Sequence, residues 1–456
     1  MINKNLIPKA ILQAIQLLNE KSFEAFLVGG SVRDLLSNKV PHDFDIATSA
    51  SPGDMENVFH EYRLVLAGKK YGTVTVIIDN SPIEITTYRL EENYSDHRRP
   101  DKIYFTNSLK QDLSRRDFTI NSLAYHPDIG LINSFSGFED LNDKIIRTVG
   151  NPEKRFGEDA LRILRALRFA SVLDFKIDEN TSTAIHKQKN LLHKISIERI
   201  NQEFRKLLVG QAVERILLDY RDVFTLLIPE IKEIISNKDS LSDTEDHDSY
   251  NYLTGFVANT PRILDLRLSA LYATITRPEL FCKEKNKSSE ASKYTKYSAQ
   301  ITRNSLLNLK FEKKLVDNVS ELVLYFDLNL KADEVFLKKL LSKVGSNTLK
   351  KIISLQISAA KTKAGSKQNK DIVHLKDVLI LVDKILNENP PLFVKDLVVD
   401  GKDALRFGLR GPDIGQALEF LLVNVLEGKI ENQREPLLDS LKSLASEIML
   451  NNFNKD

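Results

Sequence analysis

The feature that most constrains this chain is the stretch from residue 27 to residue 48, LVGGSVRDLLSNKVPHDFDIAT. The apolar run Ala25–Val28 predicts a buried strand, and the two glycines after it let the backbone approach a ligand closely. The residues SVRDLL then predict a helix, with Ser31 as a candidate cap. Backbone N–H groups at that turn can hold a triphosphate, with Arg33 as the cationic partner. The stretch therefore predicts a site that handles phosphate.

Two aspartates follow in the segment DFDIAT. Asp43 and Asp45 stand two residues apart in a predicted strand, so their side chains are expected on the same face. Two carboxylates on one face repel each other unless a cation lies between them. Hard oxygen ligands beside a phosphate site suit Mg²⁺, which keeps several waters and takes further ligands from substrate phosphates. The pair therefore predicts metal-assisted attack of a hydroxyl on an α-phosphate.

Either signal alone is weak, because a glycine pair is common in turns and spaced aspartates are common on surfaces. Together, GGSVRD followed by DFDIAT resembles the active-site signature of the bacterial tRNA nucleotidyltransferase (CCA-adding enzyme) and poly(A) polymerase family. The resemblance implies that Asp43 and Asp45 hold the catalytic metal. It also implies that Gly30 and Arg33 contact the nucleotide.

The composition limits the broad class of protein. A chain of 456 residues is long enough for about two to four domains. Its 65 Lys and Arg against 63 Asp and Glu give a net charge of only +2, so a surface for nucleic acid must come from local clustering. The single cysteine, Cys282, excludes an internal disulfide. Since no apolar run of about 18 residues and no signal-type N-terminus are present, we expect a cytoplasmic protein without a membrane span.

A third carboxylate is predicted on a hairpin. Residues 73–79 and 83–89 are rich in β-branched side chains and flank a predicted turn at 80–82. Strand parity places Glu84 on the opposite face from Ile83 and Ile85. In the wider nucleotidyltransferase superfamily a neighbouring strand often supplies a third carboxylate, which makes Glu84 the candidate. The alternative is an ordinary exposed glutamate.

The next segment, LEENYSDHRRPDKIYF, is polar and rich in turn residues and predicts a mobile loop. In CCA-adding enzymes a flexible loop at this place is associated with the final adenosine step. The loop, with Asp96, Arg98 and Arg99, therefore argues against a relative that adds only two cytidines. The sequence leaves its role open.

The segment SLKQDLSRRDFTINSL resembles the second motif of the family. Arg115 and Arg116 stand beside Asp117, and Asn121 follows about one helical turn later, so one helix face could offer donors to a triphosphate or ribose. The plain alternative is a surface helix with a local salt bridge. The family pattern assigns nucleotide contact to Arg116 and leaves the role of Asn121 open.

A further segment, RFGEDALRILRALRF over residues 155–169, predicts one amphipathic helix. Its polar half contains Asp159, Arg162, Arg165 and Arg168. A solvated helix face is the plain interpretation. Following it, the helix ISIERINQEFRKLL is predicted with Ser196 as its cap. The resemblance gives Glu198, Arg199 and Glu203 of that helix a bracing role.

Base recognition gives the polar half a sharper interpretation. Cytosine and adenine both present an exocyclic amine next to a ring-nitrogen acceptor, so Asp159 can accept from the amine and Arg162 can donate to the ring. Uracil and guanine present the reverse pattern, and each mismatched contact costs roughly 1–3 kcal/mol. The string EDALR matches the protein template motif of CCA-adding enzymes, in which Arg165 and Arg168 would also contact nucleotide. Poly(A) polymerases carry a similar string.

The remainder predicts helices, with expected domains at 1–146 (catalytic head), 147–235 (neck with the template), 236–370 (body) and 371–456 (tail). The body segment ILDLRLSALYATITRPEL resembles the metal-binding helix of HD phosphohydrolases, but Ala273 and Thr274 replace the His-Asp pair. We therefore predict a degenerate, HD-like body without hydrolase activity. The tail, with DGKDAL, GPDIG and EGKIENQRE, resembles the part of CCA-adding enzymes that grips the tRNA elbow. It predicts a helix start at residues 411–413 and a stop at Gly428.

Together these patterns predict an α+β head with the nucleotidyltransferase fold, a small mixed sheet with helices, followed by an all-α neck, body and tail. The expected activity is addition of C, C and A to the 3′ end of tRNA from CTP and ATP, with Mg²⁺ and release of pyrophosphate. The alternatives are a poly(A) polymerase or a partial enzyme that adds only A or only CC. A non-catalytic RNA-binding protein is disfavoured because both aspartates are present. The partners are the tRNA acceptor end and elbow, and the sequence leaves open a monomer or a homodimer.

Overall fold

The computed structural model of the chain describes residues 2–92, 94, 101–232, 249–276, 288–363 and 367–453. Residues 96–99 of the predicted loop lie outside this description. The chain divides into two compact units, of which the first comprises Met1–Ser240 and Ser305–Glu312. The second comprises Leu241–Asn304 and Lys313–Asp456.

The first unit contains every strand among the described residues. The strands are β1 (Ala25–Val28), β2 (Asp45–Thr48), β3 (Arg63–Val65), β4 (Thr73–Ile78), β5 (Ser81–Thr87), β6 (Arg89–Glu92), β7 (Lys102–Phe105), β8 (Ala124–His126), β9 (Gly130–Ile132), β10 (Ile145–Ile146) and β11 (Lys176–Ile177). Its helices are α1 (Lys9–Glu20), α2 (Gly30–Leu36), α3 (Pro52–Val58), α4 (Leu109–Ser114), α5 (Gly137–Asn142), α6 (Pro152–Glu158), α7 (Leu161–Leu173), α8 (Glu179–Gln188), α9 (Ile197–Leu208), α10 (Val213–Asp219) and α11 (Arg221–Leu227).

The main sheet has the order β3-β4-β5-β2-β1-β8-β9. It is mixed, because β2 and β5 run parallel whereas the other neighbours run antiparallel. On one face, alternate residues such as Leu27 and Ile46 join the main core with apolar residues of α1, α2 and α3. On the other face, Phe26 and Val28 belong to a smaller core with Leu113 of α4. This arrangement confirms the predicted head with a small mixed sheet and helices.

The hairpin between β4 and β5 is confirmed, but its turn was placed wrongly. The turn residues are Asp79 and Asn80, both with positive φ (48° and 59°), and Ser81 and Pro82 already pair with β4. A two-residue turn with positive φ at both positions matches the right-handed twist of the strands, and Asp and Asn tolerate that conformation. The proline therefore belongs to the strand.

Part of the predicted loop is a two-stranded ribbon. Strands β6 and β7 pair antiparallel, from Arg89 opposite Phe105 to Glu92 opposite Lys102. Glu91 accepts a hydrogen bond from Arg89 of the same strand and one from Arg115, each at 2.8 Å, and the second contact ties the ribbon to the rest of the unit. The ends of this segment are therefore ordered strands.

The first unit also uses residues from late in the chain. Asn201 of α9 donates its side-chain amide to the carbonyl oxygen of Leu309 at 2.8 Å. Arg205, one turn further along α9, pairs with Glu312 at 2.8 Å, and its guanidinium lies over the ring of Phe311. The segment Ser305–Glu312 therefore covers α9.

Beyond residue 249 the described elements are helical. They are α12 (Ser249–Asn259), α13 (Leu264–Ile275), α14 (Ser288–Asn308), α15 (Lys313–Tyr325), α16 (Glu334–Thr362), α17 (Lys367–Asn387), α18 (Gly401–Arg406), α19 (Pro412–Leu426) and α20 (Arg434–Phe453). The side chains of Ala273 and Thr274 on α13 are buried. Within the described residues, none of the helices combines the length and the apolar character that a membrane crossing requires.

The predicted boundaries of the tail helix are confirmed. Gly411, with φ 55°, is the N-cap of α19 and Pro412 is its first residue. At the other end Gly428 has φ 70°, and the Lys429 N–H donates to the Asn424 carbonyl oxygen at 2.9 Å. This left-handed glycine ends the helix in the way that the sequence predicts.

A close contact between α7 and the end of α9 predicts a stability effect. A Cβ atom on Gly210 would lie 2.0 Å from Ser171 Oγ and 2.6 Å from the Ser171 carbonyl carbon. We therefore expect Gly210→Ala to lower the free energy of unfolding by about 1–3 kcal/mol. The control is Gly157→Ala in α6, where a Cβ would meet nothing within 4 Å. The free energy of unfolding of this variant should be unchanged or rise by up to about 1 kcal/mol, because alanine is better than glycine within a helix. Urea unfolding followed by circular dichroism measures both, and equal stabilities would contradict the packing argument.

Candidate active site

The glycine turn leads from β1 directly into α2, but its cap differs from the prediction. Gly29 is the N-cap, with φ 75°, and a Cβ there would lie 3.0 Å from Arg116 Nη1. Ser31 is not the cap, because it lies inside the helix and its hydroxyl donates to the Val28 carbonyl oxygen at 2.9 Å. The turn therefore needs glycine for its backbone conformation and for the close approach of an arginine.

The guanidinium of Arg33 is held at the mouth of this turn. It donates to Asp34 Oδ1 from Nε and Nη2, at 2.9 and 2.8 Å, and from Nη1 to Asn121 Oδ1 at 2.8 Å. Asn121 lies in a separate 3-10 turn, Thr119–Asn121, so the expectation that it continues the helix of Arg115 and Arg116 was wrong. Its role here is to fix Arg33.

Of the three predicted carboxylates, Asp45 lines the cavity, whereas Asp43 and Glu84 are not part of its lining and act on Asp45 through their charge. Asp45 is the first residue of β2 and stands in register with Glu84 on the parallel strand β5. Asp43 lies two residues before the strand begins, which corrects the expectation that both aspartates are in it. Phe44, between them, packs against the main core. Glu84 is exposed, between the buried Ile83 and Ile85, as its parity predicts.

Electrostatics at Asp45 favour a cation. Although this carboxylate faces the cavity, burial raises its pKa, and the nearby carboxylates of Glu84 and Asp43 raise it further against the opposing effect of Arg116. Its ionised form is therefore held at a cost in the folded protein. Any positive charge brought between these carboxylates would relieve that cost.

A magnesium ion fits the donor set of Asp43 and Asp45. Within the described residues, no group of three or more His, Cys, Asp or Glu side chains is gathered tightly enough to hold a metal alone. Mg²⁺ does not need such a cage, because it is commonly bound by one or two carboxylates together with waters and substrate phosphates. The hard oxygen donors and their excess negative charge are therefore suited to an ion that arrives with a triphosphate.

The two arginines of the second motif differ in their surroundings. Arg115 pairs with Asp112 and Glu91, each at 2.8 Å, which corresponds to the structural alternative considered for this motif. Arg116 has a longer pair with Asp112 at 3.2 Å, and its buried Nε has no hydrogen-bond partner among the described residues. Its Nη1 lies beside Gly29 at the cavity and makes no hydrogen bond to the described residues, so Arg116 retains donor capacity for a ligand, as the family pattern expects.

The predicted template helix is broken. Helix α6 ends at Glu158, Asp159 is extended (φ −136°, ψ 104°), and α7 begins at Leu161. The break has a local cause, because Asp159 Oδ1 accepts the Leu161 N–H at 3.1 Å and so competes with helical hydrogen bonding. The expectation of one continuous helix over residues 155–169 was therefore wrong, and the break places Asp159 at a joint between two helices.

Helix α9 braces this joint. Arg199 donates to both carboxylate oxygens of Asp159, at 2.9 and 3.3 Å, and Glu203 pairs with Arg168 at 2.5 Å. Both contacts match the bracing expected from the sequence. Glu198 is exposed and has no side-chain partner among the described residues, so it does not brace the template. Ser196 is the N-cap residue as predicted, although its side chain makes no capping hydrogen bond.

The remaining arginines of α7 are also anchored. Arg162 is buried and donates to Glu158 at 2.8 Å and to the Arg115 carbonyl oxygen at 3.1 Å. Arg165 pairs with Asp117, which also accepts from Asn121 at 3.1 Å. Burial raises the pKa of Asp117, but Arg165 and the hydrogen bonds outweigh burial and hold that pKa well below its usual range. Asp117 is therefore ionised in the folded protein.

One cavity of about 440 Å³ is lined by residues of the glycine turn, β2, the second motif and the template segment. Its lining includes the predicted residues Gly30, Arg33, Asp45, Arg116, Asp159, Arg162, Arg165 and Arg168. It also includes Phe169, which sequence reasoning did not assign to the site although it interrupts the polar half of the predicted helix. Ligand pockets for small molecules are commonly about 300–1,000 Å³, so the cavity is large enough for a nucleotide.

Family models match three parts of the chain. The model described as "Poly A polymerase head domain" matches residues 25–147. The model described as "Probable RNA and SrmB- binding site of polymerase A" matches residues 174–235. A third, for "tRNA nucleotidyltransferase domain 2", matches residues 285–441. The first of these covers the glycine turn and all three carboxylates.

Curated relatives and solved structures point to one family. The CCA-adding enzyme of Enterococcus faecalis is 52% identical over 202 residues, so the match spans about half of that relative (44% of this chain, 49% of the enzyme). The CCA-adding enzyme of Lactobacillus delbrueckii subsp. bulgaricus is 34% identical over 94% of this chain and 96% of its own length. The crystal structure of the Bacillus stearothermophilus CCA-adding enzyme in complex with CTP matches with a TM-score of 0.69 at 27% identity, over 97% of this chain and 98% of that chain. This chain belongs to the CCA-adding enzyme family.

Proposed function

We propose that this protein adds C, C and A to the 3′ end of tRNA from CTP and ATP, without a nucleic-acid template and with release of pyrophosphate. The observation that carries the proposal is that the pair suited to cytosine and adenine, Asp159 and Arg162, lines the same cavity as Asp45 and Arg116. Base choice and phosphate chemistry thus share one site. The full-length similarity to a CCA-adding enzyme supports the same activity.

The proposal divides the work among four regions. Residues 1–146 carry the catalytic carboxylates, and 147–235 carry the template. Residues 236–370 form the HD-like body, in which the buried Ala273 and Thr274 offer no useful metal ligands. Residues 371–456 bind the tRNA elbow while the acceptor end reaches the cavity, and the enzyme acts in the cytoplasm. The match of residues 285–441 to a tRNA nucleotidyltransferase domain supports a tRNA substrate.

The carboxylates account for the transfer step. Asp43 and Asp45 would hold Mg²⁺, which when bound supplies positive charge beside the reacting hydroxyl and the triphosphate. The 3′ oxygen of tRNA forms a bond to the α-phosphorus of the incoming nucleotide, and the bond from that phosphorus to the bridging oxygen breaks to release pyrophosphate. Glu84, exposed beside Asp45, is the carboxylate available to take the hydroxyl proton.

The arginines account for nucleotide binding. Arg33, fixed by Asp34 and Asn121, and Arg116, whose Nη1 lies beside Gly29, bind triphosphate oxygens at the glycine turn, where Gly30 lets the nucleotide approach. Arg165 and Arg168 extend the positive lining along α7 towards the base. These side chains orient the α-phosphate towards the carboxylates.

Arg199 makes the base template rigid. Because it holds both oxygens of Asp159, that carboxylate stays oriented as an acceptor for the exocyclic amine. The contacts of Arg162 with Glu158 and Arg115 use only part of its donor set and leave N–H groups for the ring nitrogen. UTP and GTP would place a carbonyl opposite the Asp159 carboxylate and an N–H opposite the Arg162 guanidinium, which is the basis of their rejection.

Truncated tRNA transcripts test the activity. With CTP and ATP together, a transcript that lacks the three terminal nucleotides should gain C, C and A and then stop. With CTP alone it should gain two cytidines, and a transcript ending in CC should accept one adenosine from ATP. Long runs of A with CTP ignored would identify a poly(A) polymerase. Extension by only CC or only A would identify a partial enzyme.

Removing one carboxylate should separate catalysis from tRNA binding. We expect Asp45→Ala or Asp43→Ala to abolish nucleotide addition, because the metal loses a ligand, while the tRNA Kd changes by less than about twofold. The Kd is measured by filter binding and addition by gel analysis. The matched control is Asp143→Ala, an exposed aspartate of the same region that lies outside the cavity. Full activity in Asp45→Ala would show that the metal site is wrongly assigned.

Replacement of Asp159 should weaken the selection of the base. We expect Asp159→Ala to reduce the preference for CTP over UTP by roughly 10- to 100-fold, because one discriminating contact of about 1–3 kcal/mol is lost. Single-nucleotide incorporation at saturating tRNA measures this ratio. Asp174→Asn, at the other end of α7 and exposed, should keep the wild-type ratio. An unchanged ratio in Asp159→Ala would contradict base selection by this pair.

The raised pKa of Asp45 predicts a pH-dependent stability effect. In metal-free buffer the ionised carboxylate destabilises the folded state at about pH 7, so Asp45→Asn should be more stable than wild type there. As the pH falls through the raised pKa towards the ordinary value of 3.8, the wild-type carboxyl becomes neutral and the difference should disappear. Urea unfolding at several pH values measures this. A variant less stable than wild type at neutral pH would contradict the charge argument.

A further inference from the structure

The aromatic ring of Phe169 lies among three arginines of the cavity. Only 6% of this residue is exposed. The guanidinium carbon of Arg168 lies 3.8 Å from the ring centroid, that of Arg33 lies 5.2 Å away and that of Arg165 lies 5.5 Å away. A cation within about 6 Å of an aromatic centroid is attracted by the negative face of the ring. All three distances satisfy this condition.

The three arginines come from different parts of the first unit. Arg33 belongs to α2, at the glycine turn, whereas Arg165 and Arg168 belong to α7, next to the base template. Like charges this close repel each other, and the pKa of Arg168 is lowered by burial and by Arg165 against the opposing effect of Glu203. The nearest carboxylate differs for each arginine, Asp34 for Arg33, Asp117 for Arg165 and Glu203 for Arg168, and Arg165 also lies 3.9 Å from Glu203. The ring of Phe169 is the neutral group that they have in common.

The ring itself is held by packing. Phe118, which is fully buried, meets Phe169 edge to face, with the centroids 5.7 Å apart and an interplanar angle of 79°. Phe118 stands next to Asp117, the carboxylate that binds Arg165. The orientation of the ring is therefore set by the same segment that anchors one of its cations.

We propose that Phe169 is a positioning residue that sets the spacing of Arg33, Arg165 and Arg168 before the nucleotide binds. This inference rests on the proposed function and deepens it. The attraction of the ring face holds the phosphate-binding arginine of α2 and the arginines of α7 at one fixed separation. A triphosphate nucleotide then meets guanidinium groups that are already in place, so less affinity is lost in ordering them.

The test varies the electrons of the ring while its shape is nearly constant. Phenylalanine at position 169 is replaced by analogues with one, two and three ring fluorines, which progressively weaken the negative face. We expect the Kd for CTP, measured by calorimetry in MgCl₂, to rise about tenfold across the series. The KM for CTP should rise in parallel, whereas kcat at saturating CTP should change by less than about twofold. The same fluorinations at the fully buried Phe156, which has no cation over its ring among the described residues, are the matched control.

Substitutions by natural amino acids give an independent test of the same inference. Phe169→Leu keeps an apolar side chain but removes the ring face, and it should raise the Kd for CTP by about tenfold. Phe169→Tyr retains the face and should rescue the affinity. Equal affinities in the two variants, a flat fluorine series, or an equal change in the Phe156 control would overturn the inference.

The result of the Phe169 test can be distinguished from the result of the test of the proposed function. If the wild-type protein adds C, C and A to tRNA but the Kd for CTP is constant across the fluorine series, the positioning role of Phe169 is refuted and the proposed function is not. If CTP affinity follows the fluorine series but the wild-type protein adds nothing to tRNA, the proposed function falls and the positioning role in nucleotide binding stands.

Discussion

The buried carboxylate of Asp117 connects the parts of the candidate site. It binds Arg165 of α7 and accepts from Asn121, whose own oxygen accepts from Arg33 of α2. One ionised group therefore links helix α2, after the glycine turn, with helix α7. Loss of one partner from a buried ion pair typically costs about 3–5 kcal/mol, because the other charge remains buried and unpaired. The arrangement of the arginines thus depends on a residue to which we assign no contact with the nucleotide.

The charges of the cavity are divided between its ends. Negative charge gathers where Asp45 stands in register with Glu84, and the charge of Arg116 opposes it there. Positive charge gathers along α2 and α7, where each arginine is partly neutralised by a carboxylate partner. A nucleotide triphosphate with a divalent ion has the complementary distribution, because its anionic chain meets the arginines and its cation meets the carboxylates. The same electrostatics that make the ionised form of Asp45 costly therefore favour this ligand.

Sequence reasoning succeeded where a local pattern has a local cause. Strand β1, the face of Glu84 and the left-handed Gly428 follow from periodicity and glycine conformation, and the structure has them as expected. Sequence reasoning failed where a side chain leaves the expected pattern or meets a distant partner. Asp159 breaks the helix by accepting the Leu161 N–H, and it is held by Arg199, about forty residues away. Periodicity could not reveal it, since an interruption of two residues leaves the amphipathic pattern on both sides intact. The role of Phe169 was missed for the same reason, because its cations come partly from α2.

The dependence of the first unit on Ser305–Glu312 has a consequence for synthesis. Helix α9 braces the template, yet the buried amide of Asn201 finds its acceptor only at Leu309. A nascent chain emerges from its N-terminus, so the sheet and the carboxylates are complete long before this acceptor is made. The bracing helix must wait, with part of its surface uncovered, for about a hundred further residues. The unit that contains the cavity is thus mostly translated before the segment that completes it.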